Sequence, residues 1–186
     1  MFSPEQQREL LQIARRSVTT AVTDGKLLSL NEVDDAFRPE LGVFVTLTKL
    51  GQLRGCIGFP EPRLPLYQAV IHSAASAALD DPRFPAVAPV ELDDLHIEIS
   101  VLSPLQPTTA EEVEVGTHGL VVEHGRARGL LLPQVPVEWG WDRDEFLAHT
   151  CRKAGLHPAA WQEGASLFAF TAEVFSEELL REEAGA

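Results

Sequence analysis

The sequence predicts an α+β protein built from two similar halves around one large curved β-sheet. Three observations carry that expectation. Segments such as GVFVTLTK and DLHIEISVLS alternate polar and apolar residues, as half-buried strands do. Leu10, Leu11, Ala14, Val18, Ala21 and Val22 recur at helical spacing and form one apolar stripe. Matching residues also recur 74 positions apart: Gly51 and Gly125, Arg54 and Arg128, Gly55 and Gly129, Tyr67 and Trp141. GQLRGCIGFPEP lies over GRARGLLLPQVP without a gap. Each block reads as hairpin, proline-rich loop, helix and third strand, with HIEISVLS and FTAEVFS in the last role. The repeats span about residues 42–103 and 116–177 of one domain covering 1–186.

Taken in order, residues 4–23 read as a helix. Ser3 is its N-cap, Pro4 suits the first helical position, Gln6 completes a capping box and Gly25 stops it. GKLLSLNEVDDAFRPE is loop-like. GVFVTLTKLGQLRGCIGF reads as two strands around a tight turn at Leu50–Gln52. An alanine-rich helix follows over Leu66–Leu79, able to approach a neighbour closely, and DDPRFPAVAP breaks it with three prolines. DLHIEISVLS is a strand and SPLQPTT connects the halves. GLVVEHGRARGLLLP is strand-like and leads into a proline-bounded loop. A helix then runs from Arg143 to Ala154, with Asp142 and Glu145 at capping-box spacing and Gly155 as its stop. SLFAFTAEVF is the final strand, and the tail EELLREEAGA is expected to fray.

Composition bounds the function. The 186 residues are enough for one full core, and a net charge of -13 disfavours a nucleic-acid or anionic-membrane surface. Two cysteines make no disulfide framework, and no Cys-x-x-Cys is present. The first residues lack the basic and apolar regions of a signal peptide, and no run of about 18 apolar residues occurs. A cytoplasmic protein with reduced thiols is expected.

The chemistry centres on LRGCIG, residues 53–58, where a thiol stands between two glycines in a strand. Strand interiors disfavour glycine, so a bulge or a close backbone approach is expected there. The Arg-Gly pair recurs in the second half and serves the hairpin. Cys56 and Gly58 do not recur: their counterparts are Leu130 and Leu132. By alternation Arg54, Cys56 and Gly58 share one face, with Thr46 and Thr48 in the same hairpin and His96, Glu98 and Ser100 on one face of a later strand. An arginine on that face favours the thiolate, and His96 or Glu98 is able to hold a proton. Missing side chains at Gly55 and Gly58 leave room for a ligand. The same cysteine also reads as a small buried hydrophobe, and Arg54 as one half of an ordinary ion pair.

Elsewhere, Cys151 lies with Leu147 and Ala154 on the core face of its helix and reads as structural. His118, between a threonine and a glycine at a strand start, reads as a turn or a ligand-facing residue. His72, His124, His149 and His157 have no evident partners and read as surface. Gln134, Glu138 and Trp141 sit in or just after the proline-held loop, a place for binding or for a rigid connector. No metal-ligand spacing joins the two cysteines.

These segments together resemble one family. GVFVTLTKLGQLRGCIG, DPRFPAV, IEISVLSP, THGLVVEHGRARGLLLPQVPVEWGWD and TCRKAGL, within about residues 5–178, are similar to the AMMECR-type domain, the protein-A component of AmmeMemoRadiSam gene clusters. The resemblance implies two repeats sharing a barrel-like sheet with flanking helices, and association with Memo-type and radical-SAM proteins. The family signature falls on Leu53, Arg54, Gly55, Cys56, Ile57 and Gly58, which draws Cys56 toward a functional role. It supplies no established reaction. Three functions therefore stand open. The first is a Cys56-dependent enzyme or enzyme component, with Arg54, Glu98 and His118 around the thiol, near a cleft between the repeats. The second is an interaction module presenting Trp139 or Trp141. The third is a metal-binding protein using Cys56 with Glu98 or a histidine. Cofactor, substrate and oligomeric state are left unnamed.

Overall fold

The computed structural model describes residues 1–178. The first helix, α1 (Pro4–Asp24), begins with the expected reciprocal cap: Ser3 Oγ accepts the Gln6 N–H and Gln6 returns the bond to Ser3. It ends at Gly25, in the left-handed region at φ 64°. The expected loop that follows is anchored by a 3-10 turn, Asp35–Phe37, whose Phe37 is fully buried.

Strands β1 (Gly42–Lys49) and β2 (Gln52–Phe59) pair antiparallel. They are joined by Leu50 at φ 52° and Gly51 at φ 74°. Two left-handed residues make the turn whose twist matches paired strands, and leucine is a poor occupant of the first position. Leu50→Asn is expected to raise the urea midpoint by the equivalent of about 0.5–1 kcal/mol, since asparagine tolerates this conformation. An unchanged or lower midpoint would show that no strain resides in the turn. The register slips between Leu47 and Thr48, so Arg54 is the extra residue of a β-bulge.

Helix α2 (Leu66–Leu79) packs against α1, β1 and β2. Its buried face is mostly alanine: Ala69, Ala74, Ala75, Ala77 and Ala78. Ser17 of α1 donates to the Ile71 carbonyl at 2.7 Å. Strand β3 (Leu95–Leu102) follows, with Leu95, Ile97, Ile99 and Val101 buried and His96 and Glu98 half-buried on the other face. These elements and β8 (Ala172–Ser176) form a sheet of order β2-β1-β3-β8. Glu173 and Glu177 tie the chain around β8 to this unit. Glu173 accepts the Phe2 N–H at 2.9 Å, and Glu177 pairs with Arg15 and accepts the Ile97 N–H at 3.1 Å. Glu178 meets His96 at 3.4 Å. The tail expected to fray thus starts on two held residues, and the rest of it lies outside the described residues.

A second compact unit, Leu102–Ala172, has its own sheet of order β4-β7-β5-β6. Its strands are β4 (Gln106–Pro107), β5 (Gly119–His124), β6 (Ala127–Leu131) and β7 (Ser166–Phe170). All three neighbouring pairs are antiparallel. The proline-bounded segment expected as a loop contains a short helix, α3 (Gln134–Trp139). Pro133 precedes it and Pro136 lies in its first turn, where no intrahelical N–H is required. Helix α4 (Arg143–Lys153) carries the expected Asp142/Glu145 capping box. Phe146, Leu147 and Cys151 of α4 are fully buried with Leu120 and Val122 of β5.

Two expectations are corrected. The strands form two separate four-stranded sheets rather than one curved sheet, and no barrel closes among the described residues. The predicted final strand is also two strands. Thr171 interrupts it by exchanging bonds with Ser103, whose N–H it accepts and whose hydroxyl accepts its own N–H, both at 2.9 Å. The chain before Thr171 therefore pairs with β5 as β7, and FTAEVFS mostly enters the first sheet as β8. Alternation alone marks a strand and does not choose its neighbour.

Candidate functional site

The site is assembled by a close approach. Gly55 faces α2 so tightly that a Cβ there would stand 2.0 Å from the Ala77 carbonyl oxygen. In the second unit Gly129 does the same for α4: its Cβ would stand 2.4 Å from the Ala154 nitrogen. The recurrent Arg-Gly pair is thus a docking point for the last turn of each hairpin's helix. In the first unit this contact brings the residues just beyond α2 alongside β2.

Asp81 arrives there. It is 4% exposed, and its Oδ2 accepts the Cys56 N–H at 2.9 Å. Arg83 binds the same carboxylate through Nε at 3.0 Å and Nη2 at 2.7 Å, and its own N–H reaches Oδ1 at 3.1 Å. Arg83 Nη2 also lies 3.5 Å from the Cys56 carbonyl oxygen. Strand β2 is a sheet edge, and the outward peptide groups of an edge need partners. Asp81 and Arg83 supply them, standing where a further strand would. The Arg83 guanidinium holds the Asp81 carboxyl well below the usual carboxylate range, against the opposing push of burial. Asp81 in turn raises Arg83 through the hydrogen bonds between them.

The thiol itself is half-buried and opposite Thr46, whose hydroxyl donates to Sγ at 3.3 Å. Because the Cys56 peptide points outward, Thr46 and Cys56 form a non-hydrogen-bonded pair, the geometry that brings facing side chains closest. Gly58 lies opposite Phe44, whose ring covers the position a side chain would take: a Cβ would meet it at 2.5 Å. Gly58 is therefore filled by Phe44, whereas the sequence suggested room for a ligand.

Arg54 takes the second of its two expected roles, one half of an ion pair. Its guanidinium is taken up by Glu91, at 2.9 and 3.2 Å, and by the Pro85 carbonyl at 2.8 Å. Arg54, the Ala88 N–H and Lys49 together hold Glu91 down to about 2. Arg54 thus staples the loop that carries Arg83 onto β2. Glu98 stands half-buried on β3, two strands from β2. His118 belongs to the second unit, where its Nδ1 accepts the Glu114 N–H at 3.1 Å. Gln134 opens α3, and Glu138 and Trp141 lie at its end. Trp141 stacks on His149 at 3.8 Å, which gives that histidine the partner the sequence did not show. Cys151 is fully buried, and burial pushes its thiol up.

Asp81 and Arg83 were missed because DDPRF reads as a helix breaker. The available signal was an Asp-Pro-Arg, residues 81–83, following a helix directly opposed to a strand glycine. Among the described residues, no group of three or more His, Cys, Asp or Glu is placed to hold a metal ion. No described helix is long and apolar enough to cross a membrane.

Comparison with known proteins places this arrangement. The AMMECR1 family model matches residues 11–175. A protein of Methanothermobacter thermautotrophicus is 49% identical, over 95% of this chain and 97% of its own length. Protein TK0174 of Thermococcus kodakarensis is 46% identical, over 92% and 90%. The crystal structure of uncharacterized protein PH0010 from Pyrococcus horikoshii superposes with a TM-score of 0.86 at 45% identity, covering 94% of this chain and 92% of that one.

Proposed function

The chain belongs to the AMMECR1 family, and on that premise we propose that it is an enzyme, or the thiol-bearing component of one, in which Cys56 acts as the nucleophile. One observation carries the reading: the half-buried Cys56 accepts a hydroxyl bond from Thr46 at 3.3 Å while its peptide is locked by the buried Asp81 and by Arg83. The Thr46 hydroxyl and the fixed peptide hold the sulfur in one geometry, as a positioned nucleophile requires. The setting also occurs once. At the positions 74 residues on from Cys56, Asp81 and Arg83 stand Leu130, Gly155 and His157, although Gly129 keeps the same helix contact. The shared order of hairpin, helix and third strand supports one duplicated domain, with the chemistry in its first copy. Memo-type and radical-SAM proteins are the partners, and the cytoplasm is the setting.

Alkylation with iodoacetamide tests the reading, with buried Cys151 as the internal control. Folded Cys56 is expected to react faster than the same thiol in denaturant. Thr46→Val should slow it by about fivefold, the equivalent of about 1 kcal/mol for one lost hydrogen bond. Folded Cys56 reacting more slowly than in denaturant would remove the nucleophile role. A second reading, as an interaction module, rests on Trp139, which is 70% exposed at the end of α3. Loss of Memo-type or radical-SAM capture in a Trp139→Ala protein would support it.

A further inference from the structure

The end of α3 is a rigid aromatic platform. Gly140 at φ 65° turns the chain between two tryptophans, so that Trp139 and Trp141 stack with centroids 6.0 Å apart and planes 18° apart. Trp141 is fixed in turn on His149 of α4, nearly parallel at 6°. The outermost ring, Trp139, remains 70% exposed, and Val137, two residues earlier, is 59% exposed. Large exposed rings of this kind are unusual on a surface with no partner.

The surroundings choose the partner. The loop 111–118 lies against α3: a Cβ on Gly116 would touch Val137 at 3.2 Å, and Arg143 reaches the Glu111 carbonyl at 3.5 Å. That loop brings Glu111, Glu112 and Glu114, and the α3–α4 corner brings Glu138, Asp142 and Asp144. Two cations lie nearby and both are engaged: Arg143 with Asp144 at 3.7 Å, and Arg152 with His149 at the inner end of the stack, at 3.3 Å. An exposed indole carried by an acidic stretch of chain suits a cation better than an anion or a neutral ring.

We propose that Trp139 seats an arginine side chain from a basic segment of a partner protein, with the guanidinium over the indole and the acidic residues of the 111–118 loop and the α3–α4 corner pairing its neighbours. This rests on reading the end of α3 as an interaction surface and is independent of Cys56. Pre-stacking on Trp141 and His149 lowers the ordering cost of such a contact.

The test is fluorescence anisotropy of a labelled peptide, Gly-Arg-Leu-Arg-Gly with blocked ends, added to the whole chain. Binding is expected to saturate. It should weaken at least about tenfold with Trp139→Ala and with citrulline in place of both arginines, and should weaken in high salt. Glu138→Gln should weaken it to a smaller extent. Equal binding by the citrulline peptide, or by Trp139→Ala, would overturn the proposal. Concentration-dependent self-association abolished by Trp139→Ala would also overturn it, assigning the face to a second copy. If Trp139-dependent capture of a partner persists while the arginine peptide fails to bind, the surface survives and the basic partner does not.

Discussion

Gly55→Ala lowers the stability of the protein by about 3 kcal/mol, at the upper end of overpacking costs, read as a drop in the urea midpoint. The atom an added methyl would meet is the Ala77 carbonyl oxygen, at 2.0 Å. A carbonyl in a helix cannot rotate away as a side chain does, so the whole last turn of α2 must move. Two controls separate this clash from the general cost of removing a glycine. Gly51→Ala, at φ 74° with nothing within 4 Å, should cost only about 1 kcal/mol of backbone strain. Ala77→Gly should not rescue Gly55→Ala, because the clash is with backbone. Rescue would show that α2 is not held where the structure places it. Displacing α2 also displaces Asp81, so folded Gly55→Ala protein should show altered Cys56 alkylation as well. Gly129→Ala should destabilise similarly, through Ala154, and leave Cys56 alkylation as it was.

Asp81→Ala is the second large effect, a loss of about 3 kcal/mol. It strips the acceptor from the Cys56 N–H and the carboxylate from Arg83 at once. Arg83 is half-exposed and regains water, which keeps the loss below that of a fully buried pair. Asp81→Asn retains an acceptor and should lose less, about 1–2 kcal/mol. The pH dependence has a definite sign. Arg83 holds the Asp81 carboxyl far below its unfolded value, so its contribution is fully present above about pH 4 and disappears as pH falls below that. Wild-type urea midpoints should therefore fall on acidification below pH ~4, and those of Asp81→Asn should fall less steeply. Parallel curves for the two proteins would show that the Asp81 charge contributes nothing to folding.

Much of the fold was legible because its signals are local. The cap at Ser3, the extent of α2, the hairpin turns and the core face of Cys151 all follow from residues within a few positions of one another. Pairing was less legible. SLFAFTAEVF carries the right alternation along its length, yet Thr171 divides it between two sheets through a bond to Ser103, 68 residues away. The candidate site shows the same division. Alternation put Cys56 on one face with Arg54 and noted Thr46 in the same hairpin; the register sets Cys56 opposite Thr46. The bulge and Glu91 draw Arg54 to the loop, and Arg83 takes the place beside Cys56.

The amino-acid sequence alone determined that this is an α+β chain, where α1, α2, α4 and the first hairpin lie, and that the thiol of LRGCIG has no counterpart in the second half. Those properties depend on periodicity, capping and spacing, which neighbouring residues settle among themselves. Only the tertiary structure decided which strands share a sheet, why Gly55 must be glycine, and that Asp81 and Arg83 complete the surroundings of Cys56. The sheet membership of β7 and β8 turns on Thr171 and Ser103, 68 residues apart, and the other two on Gly55 with Ala77 and Cys56 with Asp81, contacts formed when α2 docks on β2. A hydrogen bond or a steric limit of that kind leaves no periodic trace in the chain, because either partner alone has an ordinary local explanation.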